Sequence, residues 1–361
     1  MKLYFYSIAS ALILNFSPQI EGCTDFLLET KDGAYINGRS MEFAIDLQTT
    51  FRIHARNENL SSKAPNGSKG IQWTSKYGYI SATAFGKPLV VDGLNEAGLS
   101  FGALWLPKTQ YQNIETDESD KALDFAYFGD WVLGNFSTIA EVKEALKEIR
   151  VWGHPVAPLK DTPPLHISLH DATGNSLVIE FINGEMKIYD NPIGVLTNYP
   201  PFDWQLINLQ NYIKLTGVNA EPITIGGVVI GQTGQGSGLL GIPGDWTPPS
   251  RFVRITTLKR FALQASTAEE GVNLVCHLLN NVDIPLGTIR NKENDIKPGD
   301  YTQWIVIKDL TNQVVYFRSY QGLNLKAINL KKLDFSTPSV KTIPINTGKD
   351  YIDITATLKS E

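Results

Sequence analysis

The sequence predicts an α+β fold, antiparallel sheets with helices packed outside them. Three observations lead there. Apolar or alternating segments turn back on themselves, first at 23–30 and 34–40 across Lys31-Asp32-Gly33. The segments then run strands, helices, strands, helices, strands, which favours hairpins over the strand–helix alternation of a parallel sheet. Hydrophobic residues make up 42% of the 361 positions and charged residues 19%, enough for a large core. About 150 residues per domain would allow two domains. No linker and no short repeat divides the chain, so one domain over 23–361 is expected.

The elements follow in order. Met1-Lys2, an apolar run over 3–16, Pro18 and then Gly22 predict a secretory signal peptide over 1–22, removed on export. The apolar run is short for a membrane span. Two other readings stand beside it. One is a retained anchor. The other is a bacterial lipobox, Ile20-Glu21-Gly22-Cys23, in which Cys23 is lipidated and its thiol blocked. Cleavage after Gly22 would instead place a free thiol and a free amine on Cys23.

Beyond the first hairpin, 51–56 reads as a strand and 60–70, with Pro65 and Asn66-Gly67, as a polar loop. Strands follow at 71–84, 88–92 and 99–106, the last two joined by a turn at Asn95-Glu96-Ala97-Gly98. Helices are expected at 121–133 and 138–149. Ser137 would cap the second, with Glu141 nearby, and Ile139, Val142, Leu146 and Ile149 would line its apolar face. After a Pro-rich connector at 155–164, strands resume at 165–170, 177–182 and 185–189. Helices are expected at 202–215, 251–264 and 267–281, the last capped by Thr267 with Glu269 and Glu270 in its first turn. A hairpin at 302–308 and 313–319 turns at Thr311-Asn312.

Several function classes are disfavoured. The net charge is −5, from 32 basic and 37 acidic residues, which argues against a nucleic-acid surface. Two cysteines form neither a disulfide framework nor a Cys-rich zinc site. The five histidines include no His-Glu-x-x-His pair, and His166 and His170 fall on a strand, where a structural role is expected. Gly236-x-Gly238-x-x-Gly241 precedes Pro243 and not a helix, so it is not a dinucleotide loop. Cys276 reads as a buried apolar residue of the helix at 267–281.

The chemistry points to Cys23. An N-terminal Cys carries its own base, an α-amine with an ordinary pKa of about 7.7–8.0. A neighbouring cation would lower the thiol pKa. Arg39 lies on the next strand of the predicted hairpin, and Glu42 can hold the α-amine by a charge-assisted hydrogen bond. The plainer reading makes Arg39 and Glu42 a solvated pair at a strand end.

Five ordered segments sharpen this. They are Cys23-Thr24-Asp25-Phe26, Gly38-Arg39-Ser40-Met41-Glu42-Phe43, Val91–Leu99 (VDGLNEAGL), Asn191–Asp203 (NPIGVLTNYPPFD) and Ile242–Arg254 (IPGDWTPPSRFVR). Together they resemble the choloylglycine hydrolase family, which contains bile salt hydrolases and penicillin V acylases. The resemblance implies an N-terminal-nucleophile hydrolase with an αββα four-layer sandwich of antiparallel sheets. It implies Cys23 as nucleophile, Arg39 beside it, and Arg251 in the active-site network. Glu42 stands where most members have Asp. The side-chain amide of Asn198 and the backbone N–H of Trp105 would form the oxyanion hole. Met41, Phe43 and Trp105 flank these residues and are the candidates for an acyl pocket. Trp at 105 resembles the exported Gram-negative branch, and Phe43 departs from the Trp frequent there. The implied substrate is an N-acyl amide, penicillin V-like or acyl-homoserine-lactone-like, with conjugated bile salts as the alternative. A non-catalytic surface lipoprotein is the rival of another class. No metal, cofactor, nucleic acid or lasting membrane contact is implied, and the expected location is periplasmic or secreted. The family forms homotetramers or homodimers, although 216–240, where many members carry a long assembly loop, is short and Gly-rich.

Overall fold

The computed structural model describes residues 22–290, 299–337, 341–348 and 351–357. The expected signal segment therefore lies outside the described residues, except for Gly22. Eight strands come first: β1 (Cys23–Glu29), β2 (Tyr35–Phe43), β3 (Thr50–His54), β4 (Asn59–Lys63), β5 (Lys69–Thr74), β6 (Tyr79–Ala84), β7 (Leu89–Asn95) and β8 (Ser100–Trp105). A short strand β9 (Ala122–Asp124), helices α1 (Phe128–Asn135) and α2 (Ile139–Ala145), and β10 (Arg150–Trp152) follow. Then come β11 (Leu165–His170), β12 (Ser176–Ile182), β13 (Glu185–Asp190), β14 (Val195–Leu196) and α3 (Phe202–Asn208). After these lie β15 (Ile223–Ile225), β16 (Val228–Ile230), α4 (Pro248–Phe261) and α5 (Ala268–Asn280). The chain closes with β17 (Tyr301–Asp309), β18 (Val314–Ser319), β19 (Lys326–Asn329) and β20 (Lys341–Pro344).

Two large sheets form the centre. One has six strands in the order β14-β1-β2-β17-β18-β19, and the other eight in the order β13-β12-β11-β8-β7-β6-β3-β20. Neighbouring strands in both run antiparallel. Helices α4 and α5 pack on β1, β2, β14 and β17, while α1 packs on β7 and β8. The layers are helix, sheet, sheet, helix, as the resemblance implies. Both central sheets are covered on both faces, so β1, β2, β7 and β17 are buried almost end to end.

Local chemistry explains the outer layers. Helix α5 buries Gly271, Val272, Val275, Leu278 and Leu279, a stripe at helical spacing. Each full aliphatic side chain among them contributes about 1.5–3 kcal/mol. Thr267 accepts from the Glu270 N–H, a cap worth about 1 kcal/mol. Gly38 of β2 lets α5 approach: a Cβ there would lie 2.4 Å from Val275 Cγ1.

Several elements differ from expectation. The helix expected at 121–133 is a 3-10 turn at Thr116–Lys121, then β9, and a helix only from Phe128. Pairing of β9 with β10 at Ala122–Asp124 overrides helix periodicity. The polar loop at 60–70 is the turn of the β4–β5 hairpin, and the single strand at 71–84 breaks between Thr74 and Tyr79. Thr138, not Ser137, caps α2. Glu141 closes a capping box with it and also accepts from the Ser137 hydroxyl. The helix expected at 202–215 ends as a 3-10 turn at Tyr212. Cys276 is only half-buried.

Candidate active site

The β1–β2 ladder builds the site. Cys23 lies opposite Met41, and Asp25 opposite Arg39. Side chains alternate across a strand, so Cys23, Asp25, Arg39 and Met41 face the eight-stranded sheet, whereas Thr24, Ser40 and Glu42 face the helices.

Arg39 spans the gap between the sheets. Its guanidinium donates to the carbonyls of Val91 and Ala103, and Nη1 meets Asp92 Oδ2 at 3.2 Å. Nη2 comes to 4.0 Å from Cys23 Sγ. Gly102 leaves room for it, since a Cβ there would lie 3.0 Å from Arg39 Nη1. Beyond Arg39, Lys308 Nζ donates to both oxygens of Asp92, at 2.9 and 2.7 Å. Arg39 and Glu42 are each 0% exposed, which overturns the reading of a solvated strand-end pair.

Arg251, from α4, holds the other side. Nη1 donates to the Cys23 carbonyl and to Thr24 Oγ1, and Nη2 donates to Asn198 Oδ1 at 2.7 Å. Asn198 follows β14. Its Oδ1 also accepts the Cys23 N–H at 2.8 Å, and its Nδ2 donates to the Trp105 carbonyl at 2.7 Å. A side-chain amide has two hydrogens. The second on Asn198 has no partner among the described residues. Trp105 lies opposite Leu165, and the Leu106 N–H donates to Pro164. Alternation in the ladder therefore turns the N–H and C=O of Trp105 away from β11, to the side where Asn198 sits.

Glu42 has no α-amine to meet while Gly22 is attached to Cys23. With Gly22 attached, the Cys23 nitrogen goes to Asn198, and Glu42 Oε1 accepts from Thr302 Oγ1 at 2.8 Å. Glu42 Oε2 is buried without a partner. The Glu42 backbone N–H donates to the Gly22 carbonyl at 2.9 Å, and the Gly22 N–H donates to Asp300 Oδ2 at 3.0 Å. The peptide unit before Cys23 is thus gripped between two carboxyl-bearing residues. Burial pushes both carboxyls up, Glu42 to about 7 and Asp300 to about 7, against the pull of Arg251. Burial likewise pushes the Cys23 thiol up, to about 11; Arg39 and Arg251 pull it down and Glu42 pushes it up.

Met41, Phe43 and Trp105 share one apolar cavity with Cys23, closed to about 40 Å³ and completed by residues including Phe85, Leu89 and Leu165. The Phe43 ring meets Trp105 edge-on at 5.7 Å between centroids and Phe85 at 5.9 Å. The Cys23 thiol lies 3.6 Å from Met41 Sδ.

The two strand histidines brace these parts. His170 Nε2 reaches Asp25 Oδ1 at 2.6 Å, and the Ser168 hydroxyl donates to the same oxygen at 2.7 Å. Burial pushes the Asp25 carboxyl up, yet His170, Lys308 and Arg39 together hold it well below the usual carboxylate range. His166 Nε2 donates to the Thr197 carbonyl at 3.0 Å, fixing the chain just before Asn198. No group of three or more His, Cys, Asp or Glu side chains suited to a metal occurs among the described residues. Sequence reasoning missed Thr302 and Lys308 on β17 and Asp300 just before it, which lie far along the chain from Cys23 in no quoted motif. Asp92 lay inside a quoted motif, but its ion pairs depend on the packing of the two sheets.

The chain is similar to known proteins in sequence and in fold. Residues 23–343 match the family described as linear amide C–N hydrolases, choloylglycine hydrolase family. A bile salt hydrolase/transferase of Clostridium perfringens is 33% identical over 328 residues, covering 90% of this chain and 97% of that protein. A penicillin V acylase of Pectobacterium atrosepticum is 29% identical, covering 92% and 87%. The crystal structure of a mutant conjugated bile acid hydrolase from Clostridium perfringens superposes with a TM-score of 0.82 at 32% identity, covering 92% of this chain and all (100%) of that one. The penicillin V acylase of Agrobacterium tumefaciens gives 0.72 at 27% identity, covering 89% and 91%. With the ordered motifs, the four layers and the match from Cys23 onward in agreement, the chain belongs to the choloylglycine hydrolase family of linear amide C–N hydrolases.

Proposed function

We propose that the chain is an exported amidohydrolase that works with Cys23 as its first residue and nucleophile. One observation carries this reading. Asn198 ties the Cys23 nitrogen, Arg251 and the Trp105 carbonyl together and still keeps one amide hydrogen for a substrate oxygen. The mechanism follows from the surroundings. A thiol near 11 holds its proton at neutral pH. A base must therefore remove it as attack proceeds, and the freed α-amine, with an ordinary pKa of about 7.7–8.0, suits that task. The thiolate adds to the amide carbonyl. The oxyanion takes the spare Asn198 hydrogen and the Trp105 N–H. Collapse breaks the C–N bond, the α-ammonium returns its proton to the leaving nitrogen, and water then cleaves the thioester.

The aromatic walls of the cavity favour an apolar or aromatic acyl group, penicillin V-like or acyl-homoserine-lactone-like. The similarity to the Clostridium perfringens bile salt hydrolase/transferase supports conjugated bile salts as a second reading. N-terminal sequencing and intact mass of the exported protein come first, then amine release from penicillin V and from glycocholate. The expected result is an unmodified Cys23 terminus with turnover, lost in a folded Cys23→Ser chain. A lipidated Cys23 sinks the mechanism. In Asn198→Ala, kcat should fall about 100- to 1000-fold, read by steady-state kinetics on the better substrate.

A further inference from the structure

The charge chain behind the nucleophile has three fully buried members. Arg39 reaches the thiol with one nitrogen and Asp92 with another, at 3.2 Å. Left as the only partner of Arg39, the Asp92 carboxylate would cancel much of the guanidinium field at the sulfur. Lys308, from β17, changes that balance. It donates to both Asp92 oxygens, at 2.9 and 2.7 Å, closer than Arg39 does. Side-chain exposure is 1% for both Lys308 and Asp92, and 0% for Arg39, so water screens none of these charges.

We propose that Lys308 is a positioning residue for the nucleophile: it neutralises Asp92 and thereby leaves the charge of Arg39 to the Cys23 thiolate. The inference rests on the reading of Cys23 as nucleophile. Other charged groups face these residues and are included in the balance. Glu42 on β2 and Arg251 on α4 act on Cys23. Asp25 on β1 acts on Arg39 and is itself held by His170 on β11. All four stay in place in the variants below. Lys308 touches neither the thiol nor the acyl cavity; it acts through Asp92 and Arg39, and it also acts on Asp25.

The test is the pH dependence of Cys23 alkylation by iodoacetamide, followed by peptide mass in a Cys276→Ser background of the chain that starts at Cys23. Alkylation reports the thiol whether or not any amide is turned over. Failure of the hydrolase reading would appear separately, as a normal thiol profile without amine release. Lys308→Met should move the alkylation midpoint up by about one pH unit, because Asp92 is then free to offset Arg39. Asp92→Asn should move it down, since two cations then act without an opposing carboxylate. The double variant should return close to the parent, because it removes one charge of each sign. Opposite shifts that cancel are not produced by loosened packing. If Lys308→Met does not fold, Asp92→Asn and the double variant still decide. An unmoved midpoint in the folded single variants, or shifts of the same sign in both, overturns the proposal.

Discussion

Glu42 points to the helix side of β2, its Oε1 taken by Thr302 and its Oε2 buried without a partner. Glu42 and Asp300 keep their protons in the folded chain where the unfolded chain has lost them, between their ordinary values of 4.5 and 3.8 and about 7. Over that window the unfolded state binds fewer protons, so stability falls as pH rises. With Gly22 attached, the melting temperature should drop between about pH 4 and about pH 7, and Glu42→Gln should remove part of the drop. In the chain starting at Cys23, an α-ammonium stands beside both carboxyls and the drop should shrink. Calorimetry on the two forms checks both statements. The sequence pointed to Cys23, Arg39, Asn198 and Arg251 because each sits in an ordered motif, and to Trp105 only through the resemblance; all five come together here. It did not show which face of β2 Glu42 takes relative to α4. That depends on the register Cys23 opposite Met41, which a hairpin signal suggests but does not number.

At the scale of elements, two close approaches decide whether the site assembles. Arg39 passes from β2 into the second sheet close over Gly102 on β8, and α5 lies close on β2 over Gly38. The two glycines should therefore separate activity from stability. Gly38→Ala forces α5 off the sheet and should cost about 1–3 kcal/mol in denaturant unfolding. Gly102→Ala pushes against the end of a long side chain. It should leave unfolding nearly unchanged and lower amide turnover by displacing Arg39, as read from kcat in steady-state assays. Hairpins with local turns, such as β17–β18 and β12–β13, were legible from sequence. The segment 116–135 was not, because β9 owes its extended form to β10, and a single-sequence periodicity carries no information about that partner.

Across the whole molecule, order along the chain predicted antiparallel sheets with helices outside and the resemblance implied the four layers, but no sequence signal placed β17 between β2 and β18, the arrangement that brings Lys308 and Thr302 to the site. Outside the layers, β15 and β16 form a hairpin turned by Gly226-Gly227, and all six of its strand residues are exposed and β-branched. A lone two-stranded ribbon is marginal in water, and its open edges invite pairing with another chain. The protein should therefore sediment above the 40.0 kDa of one chain, and Ile225→Lys with Val229→Lys should return it to a single copy without loss of turnover. The grip on Gly22 has a consequence of another kind. While that residue remains, the nitrogen of Cys23 is an amide, already spent on Asn198, and cannot accept a proton. On the mechanism proposed above, synthesis alone then yields a dormant precursor. One peptide cut per molecule arms it, irreversibly, so that the place and time of cutting, and not the amount of protein made, set where the hydrolase is awake.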